Sequence, residues 1–186
     1  MKLVYMLAPM EGFTDNSFRT LCYNYGADAT LTEMARFESL ARRNKSTLEK
    51  IRIKNNTPTV IQLIGYDETL LKKFLDNFKP ENGFLGFNFN LGCPAPMFIN
   101  HGMGCAMIKR ISKVKKIVDS VKKNYQCSIK LRLGMNEFEK EKKVYLNLIN
   151  SVDADFFVVH ARHGKETYKD VADWSVFEEC CRTGKK

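Results

Sequence analysis

The fold of this chain is constrained most by a regular alternation of short apolar segments with longer segments of helical periodicity. Each apolar segment is too short for an ordinary helix, which predicts a strand. The predicted strands cover residues 3–8, 29–33, 59–64, 84–90, 128–133 and 156–160. The predicted helices lie near residues 16–25, 35–52, 68–79, 112–124, 137–151 and 174–182, with Thr14, Asp67 and Ser112 as candidate caps. Strands that are apolar on both faces and alternate with helices form a parallel sheet covered by helices.

Polar residues at the ends of these strands distinguish between the two main parallel-sheet architectures. They are Pro9, Glu33, Gln62, Asn88, Asn90, Lys130, Arg132 and His160. A barrel brings all strand ends to one mouth, whereas an open doubly wound sheet concentrates its ligand contacts at one switch point. We therefore expect an α/β fold of the (β/α)8 TIM-barrel type, with about six of the eight βα units present. No linker is evident, so residues 1–186 are expected to form one partial domain.

Composition sets broad limits on function. The chain has 186 residues, 44% of them hydrophobic, which is enough for a buried core. Its formal net charge of +9 favours a polyanionic partner such as RNA, although a basic surface that only maintains solubility is an equal alternative. No apolar run reaches the ~20 residues needed to cross a bilayer, and no signal peptide is evident, so a cytoplasmic protein without membrane contact is expected.

The six cysteines lack paired Cys-x-x-Cys spacing and the density of a disulfide scaffold, so we expect mostly thiols. Cys22 and Cys127 are expected to be small buried residues. Cys93 differs, because it lies in Asn90-Leu91-Gly92-Cys93-Pro94 at a predicted strand end. Glycine allows an unusual backbone conformation and proline restricts the next residue, so the thiol is expected on a constrained turn. The turn alone does not separate a nucleophile from an acid.

Other polar residues in the predicted strands are candidates for binding. Lys130 and Arg132 share one strand face, which suggests a nearby anion or electron-rich ring, or else an ion pair with Glu33. Gln62 is expected to bind either a heterocycle edge or another core group. His160 could be a base, a phosphate ligand or a core residue.

The sequence predicts neither a metal site nor a dinucleotide-binding site. No set of residues has metal-ligand spacing, so we predict no metal site. Gly102-Met103-Gly104 lacks the features of a dinucleotide fingerprint and is interpreted as a flexible loop over the barrel mouth.

Taken together, these segments resemble the tRNA dihydrouridine synthase family along nearly the whole chain. The similar segments are residues 8–15, 18–19, 32–34, 62–65, 90–94, 130–134 and 160–162, followed by Tyr168 and residues 172–174. Each segment alone is weak, but their shared order is specific. Two departures concern the substrate: Asn88 replaces the acidic residue of many members, and residues 97–100 replace a more basic stretch.

The resemblance implies an FMN-dependent reductase that acts on uridines in tRNA, with NADPH as the electron donor. It implies that Cys93 is the catalytic acid. It assigns cofactor contacts to Pro9, Met10, Glu11, Gln62, Asn90, Lys130 and His160, and substrate contacts to Arg132 and Arg162. A target base must leave its stack to reach a pocket, so the basic surface would hold tRNA phosphates.

The same resemblance implies that the chain is truncated at its C-terminus. The family's last two barrel strands, its turns that bind the FMN phosphate and its helical tRNA-binding domain are expected to be absent. Three alternatives remain: an FMN-barrel reductase of a small substrate, such as a dihydroorotate dehydrogenase relative; a fragment that binds RNA or a partner without catalysis; and a cysteine hydrolase that uses Cys93 and His160.

Overall fold

The computed structural model describes residues 4–186. The strands are β1 (Met6–Leu7), β2 (Ala29–Leu31), β3 (Ala35–Arg36), β4 (Thr59–Ile64), β5 (Phe84–Leu91), β6 (Cys127–Arg132) and β7 (Phe157–His160). The helices are α1 (Asn16–Asn24), α2 (Phe37–Ala41), α3 (Lys45–Lys50), α4 (Glu68–Asn77), α5 (Pro96–Ile99), α6 (Ile111–Lys122), α7 (Glu137–Glu141), α8 (Val144–Ser151) and α9 (Val176–Arg182). A 3-10 helix covers Gly104–Met107. Leu3, the predicted start of the first strand, lies outside the described residues.

The chain divides into two compact units, Met1–Asn88 and Phe89–Lys186, and the boundary between them falls within β5. The prediction of one domain over residues 1–186 therefore stays a prediction. No helix within residues 4–186 is long and apolar enough to span a membrane.

Strand order identifies the fold class. In the first unit the order is β1-β2-β4-β5, with β3 also paired to β4, and in the second it is β5-β6-β7. The pairs β1/β2, β2/β4, β3/β4 and β6/β7 are parallel. Apart from β3, each strand lies beside the next one along the chain, and the order does not reverse within residues 4–186, unlike in a doubly wound sheet. The predicted class is confirmed: an incomplete (β/α)8 barrel with about six of its eight βα units.

Helix starts agree only partly with the predicted caps. Asp67 caps α4 as predicted, because its carboxylate accepts hydrogen bonds from the backbone N–H groups of Thr69 and Leu70. Thr14 is not a cap, since Asp15 caps α1 by accepting from the N–H of Phe18. Ser112 is also wrong as a cap, because α6 already begins at Ile111.

Two predicted helices are interrupted. Residues 35–52 form β3, α2 and α3, and residues 137–151 form α7 and α8. Arg43 and Lys143 lie at these interruptions with positive φ angles of 57° and 51°. A left-handed residue cannot continue a right-handed helix, so each stretch divides there.

The core of the first unit is built on β4, in which all six residues are buried. Beside it, Phe74, Phe78, Phe84 and Phe87 form an aromatic cluster with ring centroids 5.0–5.9 Å apart. Three of the five ring pairs are edge-to-face and two are tilted, and edge-to-face pairs stabilise a core beyond the area they bury.

The core of the second unit contains Ile129, Leu131 and Leu133, which point away from Lys130 and Arg132 as predicted. All six cysteines are thiols, as expected. Cys127 is buried as predicted, but Cys22 is only partly buried because much of the α1 surface is exposed.

Candidate active site

Cys93 lies on a turn immediately after β5, and Asn90 organises that turn. The side-chain oxygen of Asn90 accepts hydrogen bonds from the backbone N–H groups of Gly92 and Cys93, both 2.9 Å long. This arrangement ends the strand and leaves the Cys93 thiol partly exposed. A constrained turn is therefore present, but Gly92 is not its unusual residue, since its φ is not positive and an added Cβ would meet only ordinary contacts.

The glycine that the turn requires is Gly104, in the 3-10 helix. Its φ is +57°, and a Cβ there would lie 2.3 Å from the backbone oxygen of Cys93. The preceding Met103 is fully buried. The interpretation of residues 102–104 as a flexible loop is therefore wrong, because this segment is anchored in the core and packs against the Cys93 turn.

Strands β6 and β7 place three candidate residues on one face. Their register pairs Lys130 with Val158 and Arg132 with His160, so Lys130, Arg132 and His160 point the same way. Burial, followed by the charge of Arg132, lowers the pKa of Lys130. Burial and the charges of Arg132, Lys130 and Arg162 lower the pKa of His160 to about 4, so His160 is neutral at pH 7.

Backbone carbonyl groups, rather than carboxylates, hold the two arginines of this face. Arg132 donates from Nη1 to the carbonyl oxygens of His163 and Glu166, at 2.7 and 3.0 Å. Arg162 donates from Nε and Nη2 to the carbonyl oxygen of Asp170, at 2.9 and 2.7 Å, and from Nη1 to His160 Nε2 at 3.2 Å.

Tyr168 covers part of this site. Its ring stacks near His160, with centroids 6.1 Å apart, and lies 5.9 Å from the Arg162 guanidinium carbon. His160, Arg162 and Tyr168 are therefore close together in the structure. From the sequence, only the family resemblance connected them.

Within the second unit, over residues 89–186, the Lys130 ammonium group forms no hydrogen bond or ion pair. Glu33, its candidate partner, instead bonds to Lys50 and to the N–H of Gly12. An ion pair of Glu33 with Lys130 or Arg132 would join the two units, and that alternative stays a prediction. A half-buried cation with no carboxylate partner in its own unit fits an anionic or electron-rich ligand.

In the first unit, Gln62 donates from Nε2 to the side-chain oxygen of Asn88 at 2.8 Å, and both residues are buried. The backbone N–H of Gln62 donates to the hydroxyl of Thr32 at 2.9 Å. Gln62 therefore has the core hydrogen bonds that were one of its two predicted alternatives.

The loop after β1 contains Pro9, Met10 and Glu11, with Met10 and Glu11 exposed and Pro9 half-buried. The backbone of this loop is closed by Thr14, whose hydroxyl exchanges hydrogen bonds of 3.1 Å with the N–H and carbonyl of Met10. Its tip is held from outside. Glu33 accepts from the N–H of Gly12 at 2.7 Å, and Lys50 bridges Glu33 and Glu11.

The sequence of this chain also matches a known protein family. A family model described as dihydrouridine synthase matches residues 6–183. This chain belongs to the dihydrouridine synthase family. The match covers β1 to α9 and so includes the Cys93 turn and the cationic face of β6 and β7.

Curated relatives agree with this assignment. A probable tRNA-dihydrouridine synthase of Helicobacter pylori strain 26695 is 32% identical over 176 residues, covering 90% of this chain and 52% of the relative. The tRNA-dihydrouridine synthase B of Pseudomonas putida is 28% identical over 172 residues, covering 91% of this chain and 51% of the relative. The chain thus spans about half the length of the curated relatives it matches.

Sequence reasoning missed the roles of three residues that shape these sites: Lys50, Cys105 and Gly104, the last of which it placed in a flexible loop. Gly104 carried a usable signal, since a glycine between Met and Cys, two residue types that are often buried, can mark a close backbone approach. Lys50 and Cys105 carried none, because each acts on a segment that only the fold brings near it.

Proposed function

We propose that this chain contributes to reduction of the C5–C6 double bond of a uridine in tRNA, with FMN as cofactor and NADPH as the electron source. The observation that supports the proposal best is Cys93, a thiol held on a rigid turn in the same unit as three cationic side chains, Lys130, Arg132 and Arg162. An enzyme of this kind needs one proton donor and a binding face for electron-rich rings.

When bound, FMN supplies the hydride that C6 of the uracil receives. The task left to the chain is to deliver one proton to C5, and we assign it to the Cys93 thiol. Asn90 holds the backbone on the N-terminal side of this thiol, so the direction of proton delivery is set before substrate arrives.

In the second unit, Lys130 and His160 are the proposed cofactor contacts. Lys130 supplies a cation without a protein carboxylate, and His160 supplies a neutral imidazole that can donate or accept a hydrogen bond. Arg132 and Arg162 are the proposed substrate contacts. Arg132 contributes its charge from a buried position, whereas Arg162 is partly exposed and adjoins the exposed ring of Tyr168.

In the first unit, the proposed cofactor contacts are Pro9, Met10, Glu11 and Gln62. The loop of Pro9 to Glu11 is held at its tip by Glu33 and Lys50, and Gln62 is held by Asn88. Groups that are fixed in this way lose little conformational freedom when a ligand binds.

The test begins with an absorbance spectrum of the purified chain with FMN, followed by incubation with NADPH and unmodified tRNA. Dihydrouridine is then measured by nucleoside mass spectrometry. Cys93→Ala is expected to lower the rate by about 10²–10⁴-fold, the usual effect of losing a general acid. Cys22→Ala, which alters another partly buried thiol, is the control and should retain activity.

Equal dihydrouridine formation by Cys93→Ala would rule out the proton-donor role. A chain that neither binds FMN nor forms product would contradict the proposed activity. Reduction of free uracil or uridine without RNA would instead favour a small-substrate reductase.

A further inference from the structure

The two peptide groups that flank Cys93 are both held on their carbonyl side by one residue, Cys105. The thiol of Cys105 donates to the carbonyl oxygen of Gly92, with a sulfur-to-oxygen distance of 3.0 Å. The backbone N–H of Cys105 donates to the carbonyl oxygen of Cys93 at 3.1 Å. Pro94 has no N–H, so the peptide after Cys93 has no donor of its own with which to fix its orientation.

Cys105 and Asn90 hold opposite edges of the turn. Asn90 binds the N–H groups of Gly92 and Cys93, while Cys105 binds their carbonyl groups. The peptide group between Gly92 and Cys93 is bound at both its N–H and its carbonyl, and the peptide group after Cys93 is bound at its carbonyl, so rotation about the backbone bonds of Cys93 is restricted on both sides. The direction in which the Cys93 side chain leaves the backbone follows from those angles.

The environment of Cys105 suits this task. Cys105 is 1% exposed, and the 3-10 helix that contains it is anchored by the fully buried Met103 and Met107. A Cβ placed on Gly164 would lie 3.5 Å from the Cys105 sulfur, so the sulfur is packed between the Cys93 turn and the loop after β7. Burial raises the pKa of the Cys105 thiol to about 12, which keeps it protonated and able to donate at neutral pH.

We propose that Cys105 is a positioning residue for Cys93, whose side-chain direction it fixes through the carbonyl groups of Gly92 and Cys93. The inference deepens the proposed function and rests on it, because positioning matters to catalysis only if Cys93 is the proton donor. The geometric part concerns this chain alone and can be tested without cofactor or RNA.

The experiment measures the rate at which iodoacetamide alkylates Cys93, resolved by peptide mass spectrometry, from pH 7 to 9.5. Cys105→Ala removes the thiol donor, so the turn is held less tightly and the partly exposed Cys93 side chain samples more orientations. The loss of one net hydrogen bond should raise the alkylation rate by up to about fivefold. Cys105→Ser keeps a donor and should restore a rate near that of the unaltered chain. Cys127→Ala is the matched control, because it deletes another fully buried thiol in the same unit.

The proposal is overturned if Cys105→Ala leaves the Cys93 rate unchanged, or if Cys127→Ala raises it equally, which would indicate general loosening. Should Cys105→Ala fail to fold, Cys105→Val fills the site without a donor and takes its place. In the tRNA assay, Cys105→Ala is expected to lower kcat and leave KM for tRNA unaltered. A changed alkylation rate without any dihydrouridine formation would uphold the positioning and reject the proposed function.

Discussion

Replacing Gly104 with alanine should destabilise the chain far more than the same change at a glycine with open space around it. The added Cβ would lie 2.3 Å from the backbone oxygen of Cys93, and a relaxed carbon-to-oxygen contact is about 3.3 Å, so the two segments must separate by about 1 Å. Forced separation in a packed region costs about 1–3 kcal/mol. A φ of +57° adds about 1–2 kcal/mol for an L-residue, so the expected loss is about 2–5 kcal/mol in total.

Gly26 provides the control for this change. Its φ is +102°, but an added Cβ would meet nothing within 4 Å, so Gly26→Ala carries the backbone strain without the collision. Urea unfolding followed by circular dichroism gives the free energy of unfolding for both variants. If Gly104→Ala is within about 0.5 kcal/mol of Gly26→Ala, the close approach to Cys93 does not exist as described and the reasoning fails.

Two other predictions concern stability. The pKa of His160 is lowered from 6.5 to about 4 by burial and nearby cations, so between these pH values the unfolded chain binds a proton that the folded chain does not, and stability falls on acidification. His160→Gln should weaken that fall in the free energy of unfolding between pH 7.5 and pH 5, measured by urea unfolding. The same pH dependence in this variant and in the unaltered chain would exclude His160 as a source. Gln62→Leu should lower the free energy of unfolding by about 1–3 kcal/mol, because it removes a buried hydrogen-bond partner of Asn88. Asn77→Ala removes an exposed hydrogen bond to the Lys73 carbonyl and should lower the free energy of unfolding by less. Similar losses in both variants would show that burial does not strengthen the effect.

The fold class could be predicted from sequence because the strands carry strong local signals. The predicted first and last residues of β4 agree with the structure, because a buried strand is a mainly apolar run between polar turns. The cap of α4 is also predictable from local sequence, because Asp67 accepts hydrogen bonds from N–H groups only two and three residues away.

What escaped prediction depends on contacts between distant parts of the chain or on rare backbone angles. Arg43 and Lys143 are residue types that seldom adopt a left-handed conformation, so the sequence predicts continuous helices where the structure has divided ones. Lys50 reaches Glu11 across 39 residues, and Cys105 reaches Gly92 across 13. Neither pairing follows from periodicity, which reports only which face a residue occupies.

The carbonyl bonds of Arg132 and Arg162 have a consequence for the electric field of the second unit. Within residues 4–186, neither arginine forms an ion pair, so their positions are fixed without their charges being neutralised. Peptide carbonyls do not titrate, and arginine stays protonated throughout the physiological range. The contribution of these two arginines to the potential at the β6–β7 face is therefore nearly independent of pH and is weakened mainly by dissolved ions, over a screening length of about 8 Å at physiological salt.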